Sequence, residues 1–339
     1  MWVQGVLLVM KRTVYIFSDG ELKRKENTLY FETEEGKKYI PVENTSEIFI
    51  FGEVTINKRL LEFLTESEVV LHFFNYYGYY VGSFYPREHM NSGYMILKQA
   101  EHYLDETKRV ALARKFVNGG VENIKKVLSY YQNRGKNLEG FIEKINSLSE
   151  SLPSCNSTDE LMAIEGNIRE QYYYAFDRIL DNEHFIFEGR TRRPPKNRLN
   201  ALISFGNSVL YTVCLSEIYH THLDPRIGFL HATNFRRFSL NLDVAEVFKP
   251  VIVDRVIFTL VNKGILKPQH FEQKLDGIVL NEKGRELFLR EMEERLKSTF
   301  EHKTLGRHVS YRQLIRLELY KVEKHLIGDE EYKPYVTHW

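Results

Sequence analysis

Residues 228–250 read GFLHATNFRRFSLNLDVAEVFKP. Their second half carries apolar side chains at Phe238, Leu240, Leu242, Val244, Val247 and Phe248, the spacing of a helix that buries one face. The spacing predicts that helix over about 239–263, with Gly264 ending it. Asp243 and Glu246 then stand three residues apart, as neighbours on one helix face. His231 precedes them after a glycine-containing turn, and Arg236 and Arg237 lie between. Two carboxylates and an imidazole suit a hard divalent ion such as Mg²⁺ or Mn²⁺. The same residues also suit a satisfied histidine and a solvated helix face.

Outward from this stretch the helical period continues. Apolar residues mark a helix over 94–118 that Gly119-Gly120 breaks. Further helices are expected over about 121–133, 138–151, 159–182 and 196–221. Two more follow at about 281–299 and 308–327. Residues 12–84 read differently. RTVYIF, TLYFETEEGKKYIPV, EIFIFGEVTI, VVLHFFN and YYVGSFYP are strand-like runs broken by Gly and Asp turns, with one short helix at KRLLEFLT. The fold class expected is α+β: an N-terminal antiparallel β-domain (residues 1–86), a linker (87–93), a larger all-α domain (94–327) and a polar, loose C-terminal tail (328–339). Residues 1–9 precede Met10-Lys11-Arg12, which resembles an alternative start, and read as a possible extension.

The net charge of +1 announces no general affinity for polyanions. A local patch still serves that purpose. Residues 1–90 hold ten Lys and Arg against thirteen Asp and Glu, so the basic excess lies in the helical part. It concentrates in EGRTRRPPKNR, where Arg190, Arg192, Arg193, Lys196 and Arg198 form either a phosphate-binding loop or a solvated charge run. Cys155 and Cys214 match no metal-binding spacing and read as reduced thiols of a cytoplasmic protein. The apolar run near the N-terminus is too short to span a membrane, and none is expected as a partner. Glu165, in LMAIEGNIREQYYYAF, is either solvent-facing or a buried carboxylate that needs a cation.

Three ordered blocks then carry a resemblance: IEGNIREQYYYAF, RTRRPPKNRLNALISFGNSVLY and LDPRIGFLHATNFRRFSLNLDVAEVFKPVIVDRVI. Together they resemble the CRISPR-associated protein one family, the integrase/endonuclease of CRISPR spacer acquisition. The resemblance implies a metal site for Mg²⁺ or Mn²⁺ built from Glu165, His231 and Glu246, with Asp243 as an auxiliary catalytic residue. It implies a metal-dependent DNA endonuclease and integrase, joining the 3′-hydroxyl of captured DNA to phosphodiesters at the CRISPR repeat in antiviral defence. Lys249 is implied as a DNA contact, beside Arg190, Arg192, Arg193, Lys196, Arg236 and Arg237. The implied partners are double-stranded DNA, CRISPR-associated protein two and a second copy of the chain, paired through the β-domain. Other readings are a catalytically inactive DNA-binding subunit and a mobile-element integrase of the same fold. The chain departs from the family wording at Lys249, where Arg is common, at Asn197, where Asp is usual, and at Asn207, in place of a common Tyr.

Overall fold

The computed structural model describes residues 12–87, 90, 92–233, 238–274, 277–302 and 306–338. Arg236, Arg237, the extension at 1–9 and part of the expected linker lie outside the described residues. The chain divides into two compact units at the His89/Met90 junction.

The first unit holds eight described strands: β1 (Arg12–Ile16), β2 (Gly20–Lys25), β3 (Thr28–Thr33), β4 (Gly36–Ile40), β5 (Thr45–Ile50), β6 (Val54–Thr55), β7 (Val70–Phe74) and β8 (Tyr80–Phe84). Helix α1 (Lys58–Glu66) starts at Asn57, whose side chain accepts the Leu60 N–H at 3.0 Å. One sheet runs β1-β5-β7-β8 and the other β4-β3-β2-β6. The expected antiparallel pairing holds for β2-β3-β4 and for the β7-β8 hairpin. It fails at β1-β5, β5-β7 and β2-β6, which are parallel. The cause is connectivity. The β2–β4 meander separates β1 from β5, and α1 separates β5 from β7, so each pair is joined by the long crossover that parallel strands require. Strand β2 has no counterpart in the sequence reading, because in GELKRK only Leu22 is buried. Both sheets and α1 share one core, with Leu22, Leu29, Ile48, Leu60, Leu64 and Leu71 fully or almost fully buried.

The second unit is helical: α2 (Gly93–Leu104), α3 (Glu106–Gln132), α4 (Glu139–Ser149), α5 (Thr158–Leu180), α6 (Arg198–Tyr219), α7 (Leu240–Phe248), α8 (Arg255–Asn262), α9 (Glu282–Lys297) and α10 (Tyr311–Leu326). Hairpins β9-β10 (Phe271–Gln273, Ile278–Leu280) and β11-β12 (Thr299–His302, Arg307–Ser310) flank α9. Gly119-Gly120 does not end a helix; α3 runs straight through it. The break falls at Asp105, whose side chain caps α3 by accepting the Lys108 N–H at 3.0 Å. The glycines serve close approach instead. A Cβ on Gly120 would stand 2.9 Å from the Glu246 carbonyl oxygen, so α7 lies directly on α3 at that point.

Helix α6 is apolar enough by length and composition to cross a membrane, but 89% of its most apolar window is buried inside the unit, as in a core helix. Both cysteines are free and buried. The tail is not loose: Tyr332 and Thr337 are each 1% exposed.

Candidate active site

The site grows from α5 and α7. Ser157 caps α5 by accepting the Glu160 N–H at 3.2 Å, and Asp159 and Glu160 favour its positive N-terminal end. Leu161, Ile168, Tyr172 and Phe176 bury one side of α5. Glu165 and Arg169, four residues apart, meet at the border of that side, with Nε donating to Glu165 Oε1 at 2.9 Å. The same guanidinium reaches across to α7 and donates from Nη2 to Glu246 Oε2 at 2.5 Å. Arg169 therefore bridges two of the three expected ligands.

Glu246 is 5% exposed and takes a second cation, Lys249, one turn later on its own helix. Burial alone would raise its pKa. The charges of Lys249, Arg169 and His231 outweigh burial and hold the carboxyl down to about 2. Burial alone would also depress Arg169 and Lys249, but the carboxylates keep both charged. Lys249 is itself buried, with its ammonium 5.0 Å from the centre of the Tyr211 ring. It faces the interior of the site rather than an outer DNA surface.

Beyond α7 the helix does not simply continue. Pro250 has no N–H to donate, and residues Pro250–Asp254 form a π-helical turn in which Asp254 N–H reaches the Lys249 carbonyl at 3.1 Å. The single helix expected over 239–263 is thus two helices joined by this turn. The turn buries Asp254, whose carboxyl is pushed up to about 7 by burial, against the opposing pull of Arg169.

His231 arrives on the loop before α7. Asp243 is wholly buried and gathers that loop around itself. It accepts the N–H groups of Phe229 (2.5 Å), Leu230 (3.0 Å) and His231 (3.0 Å) and meets His231 Nδ1 at 2.8 Å. Three successive amides converging on one carboxylate form an anion-holding nest. A Cβ on Gly228 would come within 2.9 Å of Asp243 Oδ2, so only glycine allows the loop to fold so tightly. Gln99, fully buried on α2, holds Asp224 and Ile227 by their backbone atoms, and Arg109 on α3 donates to the Phe229 carbonyl at 2.9 Å. Burial would lower the His231 pKa, yet Asp243 and Glu246 raise it above the ordinary value. Among the described residues, none hydrogen-bonds to Nε2.

The structure thus links Glu165, Glu246, His231 and Asp243 through Arg169 and one loop. Among the described residues, no three His, Cys, Asp or Glu side chains stand close enough to hold a metal ion as they are. Arg169 and Lys249 supply the positive charge around Glu246. The donor chemistry nevertheless fits a hard divalent ion: two carboxylates, and an imidazole whose Nδ1 is tied to a carboxylate so that Nε2 is left as the ligating nitrogen. Arg169 escaped the sequence reading, although a Glu–Arg pair four apart beside buried Ile168 and Tyr172 was its available signal. In the basic loop, Arg190 is half-buried and donates to Asn200 Oδ1 and Ser204 Oγ, each at 3.0 Å, while Arg192, Arg193 and Lys196 are exposed.

The family model for CRISPR associated protein Cas1 matches residues 14–294, most of both units. The chain belongs to the Cas1 family. The CRISPR-associated endonuclease Cas1 2 of Thermodesulfovibrio yellowstonii is 74% identical over 97% of this chain and 100% of its own length. The CRISPR-associated endonuclease Cas1 of Thermotoga maritima is 53% identical over 94% of this chain and 98% of its own. A solved Cas1 structure from Thermotoga maritima superposes with a TM-score of 0.86 at 50% identity, covering 96% of this chain and 100% of that one. A casposase bound to integration product reaches the same TM-score at 21% identity, a likeness of fold alone. Membership of the Cas1 family agrees with the β-then-helical order and with the family resemblance of the three sequence blocks.

Proposed function

We propose that this Cas1 chain is a metal-dependent DNA endonuclease and integrase of CRISPR adaptation. The observation that carries the reading is His231: its Nδ1 is fixed by buried Asp243, its Nε2 is open, and Glu246 lies close enough to raise its pKa. Glu165, His231 and Glu246 would hold Mg²⁺ or Mn²⁺, with Asp243 orienting the imidazole. When bound, the ion supplies Lewis-acid polarisation of a phosphodiester and favours the ionised form of a nucleophile. The chain's own residues prepare the place. Asp243 fixes the imidazole tautomer. Arg169 and Lys249 keep Glu246 ionised in a buried position, where a lone carboxylate would take up a proton.

The reaction is transesterification. The 3′-oxygen of a captured DNA fragment forms a bond to phosphorus at the edge of a CRISPR repeat, and the bond to the repeat's own 3′-oxygen breaks, with the proton passing from nucleophile to leaving group. Water in place of the hydroxyl gives strand cleavage. Double-stranded DNA is the substrate, and Arg192, Arg193 and Lys196 suit backbone phosphate. The partners are a second copy, paired through the β-rich unit, and CRISPR-associated protein two, all acting in the cytoplasm. A dimer places one such site in each protomer, as two joining events require.

The test is strand joining on a repeat-containing plasmid with Mn²⁺ or Mg²⁺, with and without CRISPR-associated protein two. Wild type is expected to join and cut DNA only with the ion, and His231→Ala to do neither. Full activity in His231→Ala, or activity indifferent to chelator, would remove the proposal.

A further inference from the structure

The last residues of the chain have no place in the chemistry above, yet they are tied down more closely than their polar composition suggests. Gly328 turns the chain at the end of α10 with a φ of +80°. From there two helices grip the segment. On α10, fully buried Glu318 accepts the Tyr332 hydroxyl at 2.7 Å and the Tyr335 N–H at 2.8 Å, and Lys321 donates to the Lys333 carbonyl at 3.0 Å. On α3, Lys115 donates to the Tyr332 carbonyl at 3.0 Å and pairs with Glu331.

The decisive contact is Asn123 of α3, which is fully buried. Its Nδ2 donates to the Tyr335 carbonyl at 2.9 Å and to the Val247 carbonyl at 2.8 Å. Its Oδ1 accepts the Thr337 N–H at 2.8 Å. One amide thus joins the tail to the residue that follows Glu246. Two further contacts reach the same spot. The Tyr335 ring stacks on Phe248 at 5.9 Å between centroids and 11° between planes. A Cβ on Gly119 would stand 2.6 Å from Pro334 Cβ and 3.3 Å from Val247 Cγ2, so tail and α7 press on α3 together.

We propose that residues 331–337 are a positioning strap for the active site: through Asn123 and Tyr335 they fix how α7 lies on α3, and hence where Glu246 stands. This rests on Glu246 belonging to the nuclease site. Neither Asn123 nor the strap touches Glu165, His231 or Glu246 by a side-chain bond, so both act through α7. The strap packs on Phe248, the last residue of α7, just before the π-helical turn in which Pro250 takes an N–H out of the helix ladder. A reacting group displaced by a fraction of a turn loses rate without losing substrate affinity.

The test uses full-length variants. Tyr335→Ala removes the stacked ring, Tyr335→Phe keeps it, and Thr337→Pro deletes the N–H that Asn123 accepts, together with the Thr337 hydroxyl. Amide exchange of residues 243–254, the thermal midpoint, and kcat and KM for Mn²⁺-dependent cleavage of a duplex are measured for each. Tyr335→Ala and Thr337→Pro are expected to speed exchange in 243–254 and to lower kcat about tenfold, with KM within about twofold of wild type. Tyr335→Phe should behave as wild type. Unchanged exchange and kcat in folded variants would overturn the strap, and so would a rise in KM alone, which would make the tail a DNA contact. Should Tyr335→Ala not fold, Thr337→Pro decides. A wild type that neither cuts nor joins DNA would overturn the proposed function, while the exchange measurement would still decide the strap.

Discussion

His72 in the β-rich unit and His231 in the helical unit each stand beside a buried carboxylate, and they are finished differently. His72 is fully buried. Its Nδ1 meets Ser83 Oγ at 2.6 Å and its Nε2 lies 3.5 Å from Glu47 Oε2, while Glu47 takes the Thr13 hydroxyl at 2.7 Å. The members of that row lie on β1, β5, β7 and β8, so the row stays within one sheet, and there Nε2 has no hydrogen-bond partner among the described residues and is sealed from solvent. His231 has one nitrogen committed to Asp243 and a side chain 26% exposed, with Nε2 left for something else. Identical residue types therefore yield a structural network in one unit and a candidate ligand in the other. Among the described residues each ring keeps one nitrogen without a hydrogen bond, and the difference is whether that nitrogen can be reached from solvent: the His72 side chain is 0% exposed and that of His231 26%.

The largest effect should separate the two histidines outright. His231→Ala is expected to lower ion-dependent strand cleavage about 10³-fold, or about 4 kcal/mol of transition-state stabilisation, with little change in thermal midpoint. His72→Ala is expected to do the reverse. It leaves a cavity in the sheet and takes one neighbour each from Ser83 and Glu47, which keep Tyr80 and Thr13, costs about 3 kcal/mol of stability, and leaves the rate of the folded protein intact. Equal loss of activity in both variants, measured well below the midpoint, would break the comparison.

Next comes the buried carboxyl that remains protonated near neutral pH. In the unfolded chain Asp254 ionises near 3.8; in the folded protein it ionises near 7. Between those values the folded state holds a proton that the unfolded state releases, so stability falls as pH rises from about 4 to about 7. The penalty is complete above that window and amounts to at most about 4 kcal/mol. Asp254→Asn keeps the group neutral. Its unfolding free energy should fall less between pH 5 and 8 than that of wild type, in parallel denaturant titrations. A parallel pH profile would mean that Asp254 is ionised in the folded protein.

The sequence made the types of the site residues legible, but not their arrangement. VVLHFF and TLYFET announce strands by composition, whereas parallel pairing depends on connections that no strand encodes. Gly119-Gly120 looks like a stop because glycine is a poor helix former. Its use is a close contact with Glu246 and Pro334, which exists only once α3, α7 and the tail have met. His231, Asp243 and Glu246 were visible as a group within one stretch. That Arg169 would bridge Glu165 and Glu246 was not, since it depends on α5 packing across from α7. The tail misled for a related reason: Tyr332 and Tyr335, three residues apart, were the apolar signal within its polar composition.

Asp243→Asn sharpens the comparison at smaller cost. An amide fits the same space, but its NH2 faces N–H groups that one carboxylate oxygen accepted, and it carries no charge to fix the imidazole. Affinity for Mn²⁺ should fall about 10–100-fold, and excess ion should restore much of the cleavage rate. His231→Ala should not respond to excess ion. A calorimetric titration with Mn²⁺ gives the first number, and cleavage at rising Mn²⁺ the second. Rescue of both variants alike would remove the distinction between ligand and support.

The smallest effect repeats the contrast among cations. Arg190 is closed: Asn200 and Ser204 take its guanidinium, and Asn200 in turn holds the Gly189 carbonyl at 2.8 Å, so this arginine shapes the loop. Arg192 and Arg193 are exposed on the same loop. If they meet DNA phosphates, each neutralisation removes about one released counterion from the binding equilibrium. Arg192→Gln with Arg193→Gln should then reduce the slope of log affinity against log salt by up to about 2, in fluorescence titrations of a duplex from low to moderate salt. Arg190→Gln should leave that slope nearly unchanged while lowering the thermal midpoint, because the bonds it loses are within the protein. An unaltered slope in the double variant would make the exposed pair a solvated run. A slope that falls with Arg190→Gln would mean that its bonds to Asn200 and Ser204 open when DNA binds.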